Sequence, residues 1–423
     1  MTLSSPVDQL RSLFETAVRT AQPEHRIPDF LPTPPIGKTV VVGAGKSAAA
    51  MARAVEQAWP TDLSGVVVTR YGHGAPTQQI EVLEAAHPVP DSQGMAAAER
   101  ILQTVAPLGP DDLVICLISG GGSALLTLPP EGMTLDLLAG INRQLLRCGA
   151  DITEMNTVRK NLSRSSGGRL AAAAYPAQVV SLIISDVPGD DLRAIASGPT
   201  VGDTATAADA QGILQRYNID VSPVVLDYLG KDPNPVIRPD DNRLSTTQSH
   251  LIATPQQSLE AAAELAQAQG YTPFILGNAI EGEAQQVGIV HAGIARQVVN
   301  HNQPIAPPCV ILSGGETTVT VTGEAGKGGR NSEFLLSLAI ALNSLDKVWA
   351  IACDTDGIDG SETNAGAVIT PDSLAQARQQ GLSAADYLHR HDSYSFFAGI
   401  NALVETGPTL TNVNDFRAIL IEP

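Results

Sequence analysis

Positive charge is scarce in this chain. Its 423 residues carry 26 lysines and arginines against 44 aspartates and glutamates, a formal net charge of -18. The field around the folded protein therefore repels polyanions, so nucleic acid and anionic membrane are poor partners. A small anion is still admissible, because a few backbone N–H groups and one or two cations make a locally positive pocket. Cysteine is sparse too. Cys116, Cys148, Cys309 and Cys353 lie far apart, three of them inside apolar runs, and no CxxC pair is present, which argues against a disulfide framework or a zinc knuckle. No apolar run reaches the roughly 18–20 residues of a membrane span. The opening MTLSSPVDQLRSLFETAVRTA lacks the basic flank and apolar core of a secretory signal and reads as an amphipathic helix, so the expected location is cytoplasmic. Internal repeats, low-complexity tracts, a GxSxG elbow and an HExxH pair are missing as well. The missing elbow and HExxH pair give no support to a hydrolase or zinc peptidase of those kinds, and the eight histidines show no ligand spacing; His73 and His87 follow strands, as ordinary loop residues or as the lining of a pocket.

With 43% hydrophobic residues, a chain of this length predicts two domains. Short β-rich apolar runs alternate with alanine- and leucine-rich helical stretches, the pattern of parallel sheets covered by helices, so the class is α/β. KTVVVG, SGVVVT, IEVLEAA, DLVICLIS and QVVSLIIS read as strands of a Rossmann-like doubly wound sheet, with helices around 46–59, 95–105, 135–148 and 158–174. The aperiodic GKDPNPVIRPDDNR, residues 230–243, predicts a linker. It divides the chain into 1–235 and a second α/β domain, 236–423, with a mixed sheet. There CVILSGGETTVTVTG reads as two strands around a turn, and NDFRAILI as a closing strand free to return to the first sheet.

Ligands of open parallel sheets bind beyond the carboxyl ends of the strands, and five loops there carry chemistry. Gly43, Gly45, Lys46 and Ala48 fit the GxGxxA variant of a dinucleotide fingerprint but not a Walker A loop. The second strand ends in Thr69-Arg70, without the acid that holds an NAD ribose. Lys46 at a helix start adds charge to an end already positive, which makes sense with an anion bound. Ser119, Gly120, Gly121, Gly122 and Ser123 offer backbone N–H groups and hydroxyls suited to phosphate; a tight turn uses the same glycines. Asp186, Asp190 and Asp191 follow the fifth strand, placed to hold Mg²⁺ or accept a hydroxyl proton. Upstream, Arg159 and Lys160 are expected in the first turn of a helix, where the dipole disfavours them unless an anion is near. Gly314, Gly315 and Glu316 precede Arg330, a glycine-flanked arginine before a helix that has the position of a guanidinium stabilising a phosphoryl group in flight. Asp354 and Asp356 fall on one side of a strand end and could share a metal or a substrate hydroxyl, or form an Asx-rich turn.

VVGAGKSAAAMA, SGGGSALL, NTVRKNLSRSSGGRLA, SDVPGDDLRAIASGPT, LSGGETTVTVTGEAGKGGRNSEFLLSLA, CDTDGIDG and TGPTLTNVNDF, in this order over nearly the whole chain, resemble the glycerate 2-kinases that carry a leucine-rich MOFRL region, here about 305–415. The resemblance implies a two-domain enzyme with its site in a cleft, transferring the γ-phosphoryl of ATP to the 2-hydroxyl of D-glycerate with Mg²⁺. It puts the family's essential lysine on Lys46 and its essential arginine on Arg330. Acids of SDVPGDD and CDTDG complete the site, with Asp190 and Asp356 as candidates for proton handling and Asp186 and Asp354 for metal. The glycine loops, with Ser119, Ser123, Lys160 and Glu316, would hold the nucleotide. Two other readings stand beside it: a nicotinamide-dependent hydroxypyruvate reductase, a label that relatives of this kind have carried, and a non-catalytic nucleotide or sugar-acid sensor. Oligomeric state stays open, a homodimer included.

Overall fold

The apolar runs become two six-stranded sheets. The computed structural model describes residues 5–321, 323 and 326–423, and the chain is an α/β protein of two units, residues 23–252 and residues 5–22 with 253–423. The first unit holds β1 (Thr39–Ala44), β2 (Ser64–Arg70), β3 (Ile80–Ala85), β4 (Leu113–Ile118), β5 (Gln178–Ile184) and β6 (Thr247–Ala253), in the spatial order β3-β2-β1-β4-β5-β6. Pairing from β3 through β5 is parallel. Helices cover both faces, so β1 and β4 are buried at every residue, which is why their sequences read as unbroken Val, Ile and Leu rather than as an alternation. The strand order reverses between β1 and β4, and the loops leaving these two strands therefore flank the switch point where such sheets open a crevice.

Two expectations are corrected in this unit. The helix expected over 158–174 is two helices, Ile152–Asn161 and Arg169–Ala174. The first begins at a capping box in which Asp151 accepts from Glu154 N and Glu154 accepts from Asp151 N. Segment 230–243 is no free linker: Val236 and Ile237 are buried, and Ile237 exchanges backbone hydrogen bonds with Gly167 and Asp203. The two units meet in sequence at 252/253.

The second unit holds β7 (Thr272–Gly277), β8 (Gly282–Glu283), β9 (Cys309–Gly315), β10 (Thr317–Thr318), β11 (Val348–Asp354), β12 (Gly366–Ile369), β13 (Leu403–Val404) and β14 (Asp415–Ile421). Its large sheet runs β13-β12-β11-β14-β9-β7, parallel between β7 and β9 and antiparallel elsewhere. The closing strand thus enters the second sheet, between β11 and β9. Among the described residues of the expected Thr/Val strand, Thr317–Thr318 pairs, with β8; Thr322 lies outside the described residues. The opening helix, Pro6–Thr20, starts at a Ser5/Asp8 capping box and lays Leu10, Leu13, Phe14 and Ala17 against Leu259, Val310, Phe416 and Leu420. Among the described residues no helix is long and apolar enough to cross a membrane.

Candidate active site

In the first unit the loops after β1 and β4 are sewn together. Lys46 N donates to Gly120 O (2.8 Å), and Ser119 N donates to Ala44 O (3.2 Å). Ser47 N donates to Ser119 Oγ (3.0 Å), and Thr69 Oγ1 at the end of β2 donates to Lys46 O (3.2 Å). Lys46 sits in the turn before the helix Ala48–Ala58. A Cβ on Gly121 would lie 3.0 Å from the His87 ring and 3.4 Å from Lys46 Cγ, so a bare backbone, an imidazole and the lysine stem are neighbours where β1, β3 and β4 end. Ser123 Oγ shares a hydrogen bond with Ser197 Oγ (2.8 Å). Ser197 belongs to a run of three left-handed residues, Ala196 (φ 49°), Ser197 (φ 61°) and Gly198 (φ 58°), a strain that persists where surrounding structure over-determines it. Beyond β5, Asp190 is also left-handed (φ 55°), and its Oδ1 is buried with no donor among the described residues.

The second unit gathers charge at the ends of β9, β11 and β14 and at the start of the helix Arg330–Leu342. Arg330 Nε donates to Asp415 Oδ1 (2.7 Å), Nη2 to Asp354 Oδ2 (2.8 Å), and Nη1 faces Glu316 Oε1 at 3.5 Å. Burial works against its charge, but Asp415, Asp354 and Glu316 outweigh that and hold the guanidinium well above its ordinary value. Asp415 is wholly buried and also accepts from Asn331 Nδ2 (2.7 Å), Thr317 N (3.2 Å) and the guanidinium of Arg417. Burial opposes its ionisation, yet Arg330 and Arg417 keep its carboxyl below the usual range. Arg417 donates to Gly314 O (3.2 Å) and lies over the Phe334 ring at 5.0 Å. Asp359 caps the helix from another loop, accepting from Asn331 N (2.9 Å), Ser332 N (2.8 Å) and Ser332 Oγ (2.6 Å); burial pushes its pKa up against those donors. His291 accepts from Ser313 Oγ through Nε2 (3.1 Å) and gives Nδ1–H to Val287 O (2.8 Å). Burial lowers its pKa to about 4, so it is neutral.

Residues 9–230 match a domain family described as a domain of unknown function (DUF4147), and residues 309–415 match the MOFRL family. The D-glycerate 2-kinase of Thermotoga maritima is 37% identical over 411 residues, 97% of each chain. This chain belongs to the glycerate 2-kinase family. The crystal structure of the glycerate kinase from Thermotoga maritima superposes with a TM-score of 0.87 at 36% identity, covering 98% of this chain and 99% of that one. A family relative from Agrobacterium vitis, 54% identical over 414 residues (97% of this chain, 94% of its own), is named a hydroxypyruvate reductase.

Within this glycerate 2-kinase fold the expected residues fare differently. Gly43 and Gly45 have their side-chain space filled by protein: a Cβ on Gly43 would stand 2.2 Å from Leu117 O, and one on Gly45 2.2 Å from Ser119 Oγ. Packing of β1 against β4 requires them whatever the ligand. Gly315 is likewise pressed on the Ile280 backbone. Arg159 and Lys160 occupy the last helical turn, not the first, where the dipole favours cations. Lys160 is buried and ion-paired with Asp203, so its position needs no bound anion to explain it. Asp191 closes onto Arg193. Asp354 Oδ1 accepts from Asp356 N (3.0 Å) and Asp356 Oδ1 from Ile358 N (2.9 Å), the turn alternative. Among the described residues no three His, Cys, Asp or Glu side chains converge as a metal cage. Asp415, Arg417, Asn331 and Asp359 are the residues around Arg330 that sequence reasoning missed, although all but Arg417 lie in motifs that carry the family resemblance.

Proposed function

We propose that this kinase transfers the γ-phosphoryl group of ATP to the 2-hydroxyl of D-glycerate, with Mg²⁺, giving 2-phosphoglycerate and ADP. The observation that carries this reading is Arg330: a permanently charged guanidinium at a helix N-terminus, fixed on two sides by Asp415 and Asp354. Phosphoryl transfer needs positioning and charge neutralisation more than covalent chemistry, and the site offers these without an activated nucleophile of its own.

Arg330 neutralises charge on the transferring phosphoryl group, and Lys46, before the helix Ala48–Ala58, contributes positive charge for phosphate. Ser119, Gly120, Gly121, Gly122 and Ser123 present backbone N–H groups and hydroxyls to the nucleotide phosphates, with His87 beside Gly121 bounding that surface. Asp190, held in a left-handed conformation beyond β5 and half-buried, accepts the proton of the 2-hydroxyl through its carboxylate. Magnesium takes one or two carboxylates and completes its shell with water and phosphate; Asp186, in the loop after β5, would hold it, and it would add charge neutralisation to the phosphates. Asp356, tied into its own turn, supports Asp354 in orienting Arg330.

ATP consumption with D-glycerate and Mg²⁺, the product identified by phosphorus NMR, tests the reading in the unmutated enzyme, Lys46→Ala and Arg330→Ala. Expected is 2-phosphoglycerate, with kcat lost by at least roughly 10³ in Arg330→Ala; 3-phosphoglycerate would overturn the regiochemistry. A second reading, NAD(P)H-dependent reduction of hydroxypyruvate, rests on the name of the Agrobacterium vitis relative. Against it, Thr69 at the end of β2 is buried and engaged with Lys46 O, leaving no acid there for a ribose. A fall in NAD(P)H absorbance with hydroxypyruvate in the absence of ATP would favour it.

A further inference from the structure

We propose that Glu316 is a displaceable counter-ion: its carboxylate covers the edge of Arg330 that an anionic oxygen of the substrates takes over, and it swings to solvent when they bind. The proposal rests on the assignment of Arg330 to substrate charge made above.

The three carboxylates around Arg330 are not equivalent. Asp415 and Asp354 have side chains 0% and 4% exposed and accept at 2.7 and 2.8 Å. Both stand on strands, and both hold further donors, Asn331 and Thr317 N for Asp415 and Asp356 N for Asp354. They are fixtures. Glu316 is 47% exposed, and its Oε1 lies 3.5 Å from Nη1, outside the 2.7–3.2 Å of a good N–H···O bond. It contributes charge at the guanidinium but little directional bonding.

The geometry of the guanidinium sharpens this. Nε and Nη2 hydrogen-bond Asp415 and Asp354, so Nη1 is the guanidinium nitrogen left for a ligand, and Glu316 lies against it. The charges agree in direction: Arg330 and Arg417 are paired with Asp354, Asp415 and Glu316, with Asp359 close by, and of these carboxylates Glu316 is the exposed one. An arriving anion meets less repulsion once Glu316 has left. An exposed, non-ideal ion pair is weak, whereas an anion seated on Nη1 at hydrogen-bonding distance gains a charge-assisted hydrogen bond, so the exchange runs toward substrate. The anion is a carboxylate or a phosphate, that is, glycerate or the terminal phosphate of ATP.

The test uses the full-length enzyme and its Glu316→Gln and Glu316→Ala variants, titrated calorimetrically with D-glycerate alone and with Mg-ATP alone, alongside KM for each. Both variants are expected to bind one of the two ligands roughly two- to fivefold tighter, as loss of a competing exposed pair predicts, and the ligand that tightens identifies the anion. Equal behaviour of Gln and Ala marks the effect as charge rather than shape. Unchanged or weaker binding of both ligands in Glu316→Gln would overturn the proposal, the weaker case meaning that Glu316 itself touches substrate. Arg330→Ala separates the two levels of argument. If it leaves turnover intact, the role of Arg330 fails; if it abolishes turnover while Glu316→Gln tightens neither ligand, only the counter-ion fails.

Discussion

Asp415→Asn removes the carboxylate shared by Arg330 and Arg417. Arg417 is 1% exposed and Asp415 0%, so the variant leaves a guanidinium charge in a dry site, a change that costs about 3–5 kcal/mol, a large part of the roughly 5–15 kcal/mol that holds a domain folded. Trp59 lies in the first unit and Trp349 on β11 in the second. In a Trp59→Phe background, tryptophan fluorescence therefore reports on the unit that carries the substitution. With a slope of about 4 kcal/mol per M guanidinium, the midpoint should fall by about 1 M. Replacing both partners, Asp415→Asn with Arg417→Met, should recover much of that loss, because it removes the stranded charge as well. The pH dependence has a fixed sign. The folded pKa of Asp415 is depressed, so its stabilisation is complete above about pH 4, the unfolded value, and drains away as acid takes the pH down through the folded one. Asp415→Asn should lack that acid-dependent component. An unchanged Trp349 midpoint in Asp415→Asn would refute the account of the buried cluster.

Other consequences can be checked in the same background. His291 is lowered to about 4, and a depressed histidine contributes stability that is present above its unfolded value of about 6.5 and lost as pH falls toward 4, on the order of 3 kcal/mol; His291→Gln should flatten that part of a pH–stability profile. Gly43→Ala, whose Cβ meets the β4 backbone at 2.2 Å, should cost about 3 kcal/mol in the Trp59 signal of a Trp349→Phe protein. Gly121→Ala places a Cβ against mobile side chains instead, His87 and Lys46. It should cost about 1 kcal/mol for its left-handed backbone while raising KM for ATP out of proportion to that loss, and an unchanged KM would remove this loop from the nucleotide site.

The sequence by itself determined the class, the strands and the loops that matter. A strand covered on both faces must be apolar throughout, so β1, β4 and β5 are legible as runs, and whatever follows a strand in a parallel sheet stands at its ligand edge. Lys46, Gly121, Asp190 and Arg330 could be nominated on that ground. The start of the helix Ile152–Asn161 was legible too, in the Asp151–Glu154 capping box, and its neglect put Lys160 at the wrong end of a helix dipole. Tertiary structure alone decided the rest. The stripe Leu10, Leu13, Phe14, Ala17 says that the opening helix has a face to bury but not that β14 and the helix Pro255–Ala268 cover it, so the first unit does not begin at residue 1. Which glycines face protein rather than ligand depended on the neighbouring strand. The cage around Arg330 includes a carboxylate 85 positions away, Asp415, brought there because β14 inserts between β9 and β11. Local periodicity encodes which face of an element is buried; what lies against that face is set by strand order, and strand order has no local code.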